Sequence, residues 1–300
     1  MRNLWFCIFG CTLIAPARAQ PSPAEVAVNV TFRDNGAAHN GQNSNLPKLF
    51  FKNTPLDVIR VDTPPLAPLH VVFVLDSDTH QRTLMKTSLD YVASLAAAIH
   101  DSRPKFTIVA AGKQPKVIAE ADTPSGIQTA IRTLDPSSED YGGLPGSLYA
   151  GVLHGISLLE NSSGIRTIVI VADNDDDVTS AALEELRRQM AANHIRCFSI
   201  LLANHDFSGS KARARAGIDL EKLSTSSGGL QFWTDWQNRQ KDYKAIDKAA
   251  QKIDRGSLIT FRLPEAFRSK PGFYTFEAQP ADGGKAVKTN PILIGSLSGH

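Results

Sequence analysis

The sequence predicts an α/β protein: an open, mostly parallel, doubly wound sheet, with a small flanking β module drawn from both ends of the chain. Three observations carry this expectation. Two short runs, His70 to Leu75 and Arg166 to Ala172, are almost wholly apolar, and each ends in an acidic turn, Asp76-Ser77-Asp78-Thr79-His80 and Asp173-Asn174-Asp175-Asp176-Asp177. Runs of this kind are central strands covered on both faces. Strand and helix patterns alternate from His70 to about Ile253, which calls for parallel strands joined by right-handed crossovers. On either side of that region the alternation stops and short strand patterns take over.

Each element has its own signal. Val26 to Phe32 alternates with period two and stops at Asp34-Asn35-Gly36. Leu49 to Phe51 and Leu56 to Val61 are further short strands, and Thr63-Pro64-Pro65 with Pro68 punctuates the chain as a linker. After the His70 strand, Leu84 to Ile99 carries apolar residues at helical spacing. Phe106 to Ala110 is a strand and Val117 to Ala119 a shorter one. Ser125 to Leu134 is a short helix opened by Pro124-Ser125, and Ser147 to Leu159 aligns Leu148, Val152, Ile156 and Leu159 on one face. Past the Arg166 strand come a helix from Thr179 to Ala192, a strand from Ile195 to Ala203, and a short helix from Asp219 to Ser226 stopped by Gly228-Gly229. Leu230 to Trp233 is the next strand, and Tyr243, Ile246, Ala250 and Ile253 mark a last helix. Leu258 to Leu263, Phe273 to Ala278 and Ala286 to Ile294 are strand-like, separated by Pro, Gly and Asp turns, and would pair with the strands of residues 26–61. The expected organisation is a signal peptide over 1–19, an N-terminal β segment over 20–66, the central domain over 67–256 and a C-terminal β segment over 257–300.

An apolar fraction of 42% is enough for a real core, and a net charge of +2 points to no nucleic acid or other polyanionic partner. Met1-Arg2-Asn3 is basic, Leu4 to Ala15 is mostly apolar, and Ala17-Arg18-Ala19 fits a small-x-small cleavage site. These features predict an exported chain, secreted or periplasmic, whose mature form starts near Gln20 and has no membrane-spanning segment. Cys7 and Cys11 would leave with the signal, and the remaining Cys197 reads as a small buried hydrophobe.

With the motifs set out, the central region resembles a von Willebrand factor type A domain. The framing segments resemble the variant of that family found in secreted bacterial proteins, notably acidobacterial ones. The family's D-x-S-x-S turn is matched by Asp76-Ser77-Asp78-Thr79-His80, and its T-D-G-x-x strand end by Ala172-Asp173-Asn174-Asp175. Its L-x-x-L-A-x-x-T-G-G helix is matched by Leu220 to Gly229. The resemblance implies a Rossmann-like doubly wound fold, adhesion or assembly in place of turnover, and a divalent cation on oxygen ligands whose open position takes a carboxylate from the partner protein. Hard ions such as Mg²⁺ need this oxygen shell. The chain departs from the pattern: Asp76 and Asp173 stand where the family has aspartates, but Asp78 and His80 replace the two serines. Gly146 falls where a threonine is expected, with Ser147 beside it.

Three readings of this metal-ion-dependent adhesion site follow. It is a degenerate relic without metal; or Asp78 substitutes for serine and a cation still binds; or His80 joins Asp76 and Asp78 in a mixed site suited to Zn²⁺, Ni²⁺, Cu²⁺ or Mn²⁺. Asp76, Asp78, His80 and Asp173 are the candidate metal ligands. The partner-binding surface is expected at Asp76, Asp78, His80, Gly146, Ser147 and Asp173. No catalytic residues are assigned, since the chain has no nucleophile elbow, P-loop or dinucleotide fingerprint. The alternatives are a metal-dependent hydrolase using the Asp/His cluster and a purely structural envelope component. Lys211, Arg213 and Arg215 read as a solvated basic loop. Of Trp233 and Trp236, one is expected in the core and the other exposed. The scattered histidines read as surface or satisfied positions.

Overall fold

The computed structural model describes residues 25–30, 46–63, 67–76, 82–100, 103–112, 114–136, 138, 147–172, 180–203, 211–235, 239–264, 267, 270, 272–281, 283–289 and 292–294. The expected signal peptide lies outside them. No helix among the described residues is long and apolar enough to cross a membrane.

The early segment forms β1 (Glu25–Val30), β2 (Lys48–Phe51) and β3 (Thr54–Asp62). The β2–β3 hairpin turns at Lys52 and Asn53, both at positive φ (46° and 68°), the paired left-handed geometry that tight two-residue hairpins require. The central alternation then runs β4 (Leu69–Leu75), α1 (Arg82–Ala97), β5 (Pro104–Ala110), β6 (Lys116–Ala121), α2 (Pro124–Thr133) and α3 (Ser147–Glu160). It continues through β7 (Ile165–Ala172), α4 (Ser180–Ala192), β8 (Ile195–Ala203), α5 (Lys211–Ser226), β9 (Gln231–Asp235) and α6 (Arg239–Asp254). After it come β10 (Ser257–Arg262), β11 (Gly272–Tyr274), β12 (Glu277–Gln279), β13 (Val287–Lys288) and β14 (Ile292–Ile294).

The central sheet has the order β6-β5-β4-β7-β8-β9. All neighbours are parallel except β6, which runs antiparallel to β5 at the edge. The apolar runs are buried on both faces because helices cover both. Phe73, Phe106, Ile108 and Val169 pack with α1 and α6, while Val72, Val74, Ile168 and Ile170 pack with α3 and α4. Each large side chain buried this way contributes about 1.5–3 kcal/mol. α2 starts where its cap dictates: the Thr123 hydroxyl accepts from the Gly126 N–H at 3.0 Å, and Pro124 follows in the first turn.

The second sheet, β1-β10-β3-β2-β12-β13, is antiparallel throughout, and β11 and β14 form a separate two-stranded ribbon. The expected pairing of early and late strands is therefore present. Two expectations need correction. "Mostly parallel" holds for the central sheet only, and the flanking module is not small in strand number, since its sheet also has six strands. Two of those strands, β12 and β13, have only three and two residues, and they fall in or beside the stretches read as strands from Phe273 to Ala278 and from Ala286 to Ile294. The sheet is held by a core of Val28, Leu49, Ile259, Phe261 and Phe276, and by an aromatic cluster in which Phe51 meets Phe267 edge-on at 4.6 Å.

The flanking module docks at the amino ends of the central strands. The Asn29 side-chain amide donates to the Ser227 carbonyl, and Gly228 lies so close to Asn29 that a Cβ there would stand 2.6 Å from the Asn29 Cβ. Ala27 and Leu258 complete the core under α1 and α6. Arg196, fully buried near the start of β8, donates to Thr167 Oγ1 and to the Ile253 carbonyl, both at 3.0 Å, where α6 hands over to β10.

Candidate functional site

The central sheet changes direction of winding between β4 and β7: from β4 the chain moves outward to β5 and β6 on one side, then returns to β7 and continues to β8 and β9 on the other. A crevice at such a switch point, outside the carboxyl ends of the strands, is where open α/β sheets bind ligands. β4 and β7 are in register from Leu69↔Ile165 to Leu75↔Val171. The end of β4 is held on both sides, for the Asp76 N–H donates to the Val171 carbonyl at 2.9 Å and the Ala111 N–H to the Leu75 carbonyl at 2.9 Å. Asp76 is thus placed, half-buried, one residue beyond the last β4–β7 pair, with residue 173 following directly on β7.

Two glycines bring α3 to the same edge. A Cβ on Gly151 would lie 2.5 Å from the Ala111 Cβ and 3.0 Å from Val74 Cγ1; one on Gly155 would lie 3.2 Å from Val74 Cγ2 and 3.3 Å from Val72 Cγ1. The helix therefore runs antiparallel to β4, with residue 151 beside Val74 and residue 155 nearer Val72. Four helical residues rise about 6 Å and two strand residues about 6.6 Å, so the next turn up brings Ser147 level with Asp76. The positive end of the α3 dipole thereby faces the edge at which Asp76 stands.

Of the predicted site residues, the structure places Asp76 and, in backbone, Ser147 as the first residue of α3. Asp78, His80, Gly146 and Asp173 lie outside the described residues. Among the described residues no three His, Cys, Asp or Glu side chains meet in a group that could hold a metal ion. Asp76 by itself is one ligand group, short of the oxygen shell a hard cation needs.

Sequence reasoning missed a buried polar network beneath the edge. The Tyr91 hydroxyl (α1) donates to the Asp242 carboxylate in the first turn of α6; both side chains are buried. Thr234 on β9 donates to the Leu201 carbonyl at 2.9 Å. Burial first, then the hydrogen bond and charge of Asp242, push the Tyr91 hydroxyl well above the usual phenol range. Nothing local in the sequence signals that Asp242 meets a tyrosine 151 residues away.

Other expectations are met or corrected. Lys211, Arg213 and Arg215 lie within α5, not in a loop; an alanine- and arginine-rich helical turn lacks the apolar stripe that would have marked it. Trp233, on edge strand β9, is exposed, and Trp236 lies outside the described residues. Cys197 is fully buried, and burial pushes its thiol up to about 12. His194 is not at an ordinary surface position: burial, then Arg166 and Arg60, hold its imidazole down at about 4. His70 is also lowered, by burial and then by Lys105 and Arg166.

No family model matches the chain, and no curated protein matches it. Among solved structures, a von Willebrand factor type A protein from Catenulispora acidiphila matches at 11% identity and a TM-score of 0.48, covering 86% of this chain and 76% of its own. An aerotolerance-related membrane protein from Bacteroides fragilis matches at 13% identity and a TM-score of 0.43, covering 61% of this chain and 99% of its own. The pilus adhesin SpaC from Lactobacillus rhamnosus matches at 9% identity and a TM-score of 0.48, covering 88% of this chain and 48% of its own. At these identities the likeness is one of fold alone.

Proposed function

We propose that this chain is an exported protein-interaction module that recognises its partner through the carboxyl edge of the central sheet. The surface comprises Asp76, Asp78, His80, Gly146, Ser147 and Asp173, held by the ends of β4 and β7 and the start of α3. One observation supports this reading above the others: the switch point between β4 and β7 lies at the end of the sheet opposite to the docked flanking module. The motif resemblance, which implies adhesion or assembly, points the same way. A cation at this edge would be held by Asp76, Asp78, His80 and Asp173, and would supply an electrophilic position for a partner carboxylate. The interaction reading does not require it.

The test places a photo-crosslinking residue at position 147 and, separately, at position 160, the opposite end of the same helix. The mature chain is then irradiated in the envelope of the cells that export it. A discrete protein adduct from position 147, absent from position 160 and weakened by Asp76→Ala, is expected. Equal labelling from both positions would refute the assignment of the edge and favour the structural-component alternative. Calorimetry of wild type and Asp76→Ala against Mg²⁺, Mn²⁺, Ca²⁺ and Zn²⁺ measures the cation separately.

A further inference from the structure

We propose that the outer face of α6 is a docking strip for an anionic phospholipid surface. The inference goes beyond the carboxyl-edge reading and uses none of its residues; it shares with that reading only the export of the chain.

α6 buries one side against α1 and β9. Ile246, Ala249, Ala250 and Ile253 on that side belong to the core, and Asp242 and Asp254 are also buried. The outer side carries Lys241, Lys244, Lys248 and Lys252, followed by Arg255. The Arg255 N–H donates to the Gln251 carbonyl at 3.1 Å, which continues the helical turn one residue past α6. At 3.6 residues per turn, steps of three, four, four and three residues keep all five cations within an arc of about 80°. They form a strip about 21 Å long that runs almost straight along the helix. Lys241, Lys244, Lys248 and Arg255 are exposed, and Lys252 is half-buried. Among the described residues no ion pair engages Lys244 or Lys248, in the middle of the strip.

Residues three and four apart on a helix face each other, so every step of the strip sets like charges side by side, at a cost to the helix. Folding does not require this, since glutamate or glutamine would serve an exposed helix position equally well. Asp247 is the one exposed acid of α6. The whole chain carries a net charge of only +2, so the excess on this face is local. Such an excess draws protein to anionic lipid over about a Debye length, and each lysine near the surface strengthens the partition roughly fivefold.

The shape of the strip selects the partner. It is the crest of a helix packed on a sheet, and is therefore convex. A flat array of phosphates can meet all five cations at once. A nucleic-acid strand is tracked by a groove in which bases stack on aromatic rings. Tyr243, the exposed aromatic of α6, stands about 100° or more around the helix from the strip. Export also brings the chain past lipid and away from nucleic acid.

The test is co-sedimentation of the chain without residues 1–19 with vesicles of phosphatidylglycerol and phosphatidylcholine in equal parts, and with phosphatidylcholine alone, at low and high ionic strength. Lys244→Ala with Lys248→Ala removes the middle of the strip and keeps a good helix former at both positions. Lys285→Ala with Lys288→Ala removes the same charge from exposed positions of the flanking module. Circular dichroism confirms that each variant is folded. Wild type should partition onto the mixed vesicles, not onto phosphatidylcholine, and should leave them in high salt. The α6 pair should lower the partition by about 30-fold, and the flanking pair should leave it nearly unchanged. A wild type that ignores the mixed vesicles, or an equal loss from both pairs, would overturn the proposal. So would tighter binding to soluble polyphosphate than to the vesicles at equal phosphate, which would name a linear polyanion as the partner. The position-147 adduct is read separately: its absence with vesicle binding intact would refute the carboxyl edge and leave the strip in place.

Discussion

Gly151→Ala isolates the close approach that sets α3 against the sheet. Two effects of opposite sign compete. In a helix interior, alanine is favoured over glycine by about 1 kcal/mol. Against this, the new methyl would stand 2.5 Å from the Ala111 Cβ, 3.0 Å from Val74 Cγ1 and 3.2 Å from the Ala111 Cα. Ordinary carbon contacts are about 3.5–4.0 Å, so the helix must lift by roughly 1 Å or the strand must yield. Ala111 has no rotamer to change, and its neighbour Val74 is fully buried. Overpacking of this kind costs about 1–3 kcal/mol, so the net expectation is a loss of up to about 2 kcal/mol. Gly155→Ala is the internal control. Its nearest contacts are 3.2 and 3.3 Å, both to valine methyl groups, so small adjustments suffice and the helical gain should nearly cancel the crowding. Urea denaturation of both variants beside wild type measures the difference, with unchanged m-values confirming that midpoint shifts report stability. A Gly151→Ala protein more stable than wild type would refute the packing account, and with it the argument that brings Ser147 level with Asp76.

Two further outcomes follow from buried titrating groups. His194 has a folded pKa of about 4 against about 6.5 for an exposed imidazole in the unfolded chain, so between these values the unfolded chain binds the extra proton and stability falls as pH falls. The full effect is about 3 kcal/mol; His194→Asn, whose side chain tolerates the left-handed backbone there (φ 53°), should flatten urea midpoints measured from pH 7 to pH 4, and an unchanged slope would exclude His194 as the cause. Cys197, with its thiol raised to about 12, should resist alkylation in the native protein and react freely in urea, and rapid native labelling would contradict its burial.

The central strands were legible because their apolar runs are continuous, and only strands covered on both faces read that way. β4, β7 and β8 were found within a residue or so of their observed limits. The place of Asp76 followed from the same logic, since what ends a central strand must lie at the sheet edge. The antiparallel direction of β6 was not legible, because direction depends on the path between strands and not on the residues in them. The start of α5 was hidden by its polar composition. A row of Lys105, His70 and Arg166 across β5, β4 and β7 was invisible for a different reason: each residue is unremarkable in its own segment, and only register across three strands brings them together. The Tyr91–Asp242 bond is likewise a long-range fact, joining the first and last helices of the central domain.

The pairing of β1 with β10 sets a timetable for the chain. Val28 and Val30 belong to one of the earliest strands, yet their hydrogen-bonded neighbours, Ile259 and Ser257, emerge only after the whole central domain. β3 waits for the same partner on its other side. Until then both early strands present unpaired backbone, the condition in which strands join the wrong neighbour. β10 therefore closes the gap between these early strands only after the central domain, with β12 and β13 still to follow, and a chain truncated before Ser257 would leave β1 and β3 as open edges, prone to aggregate.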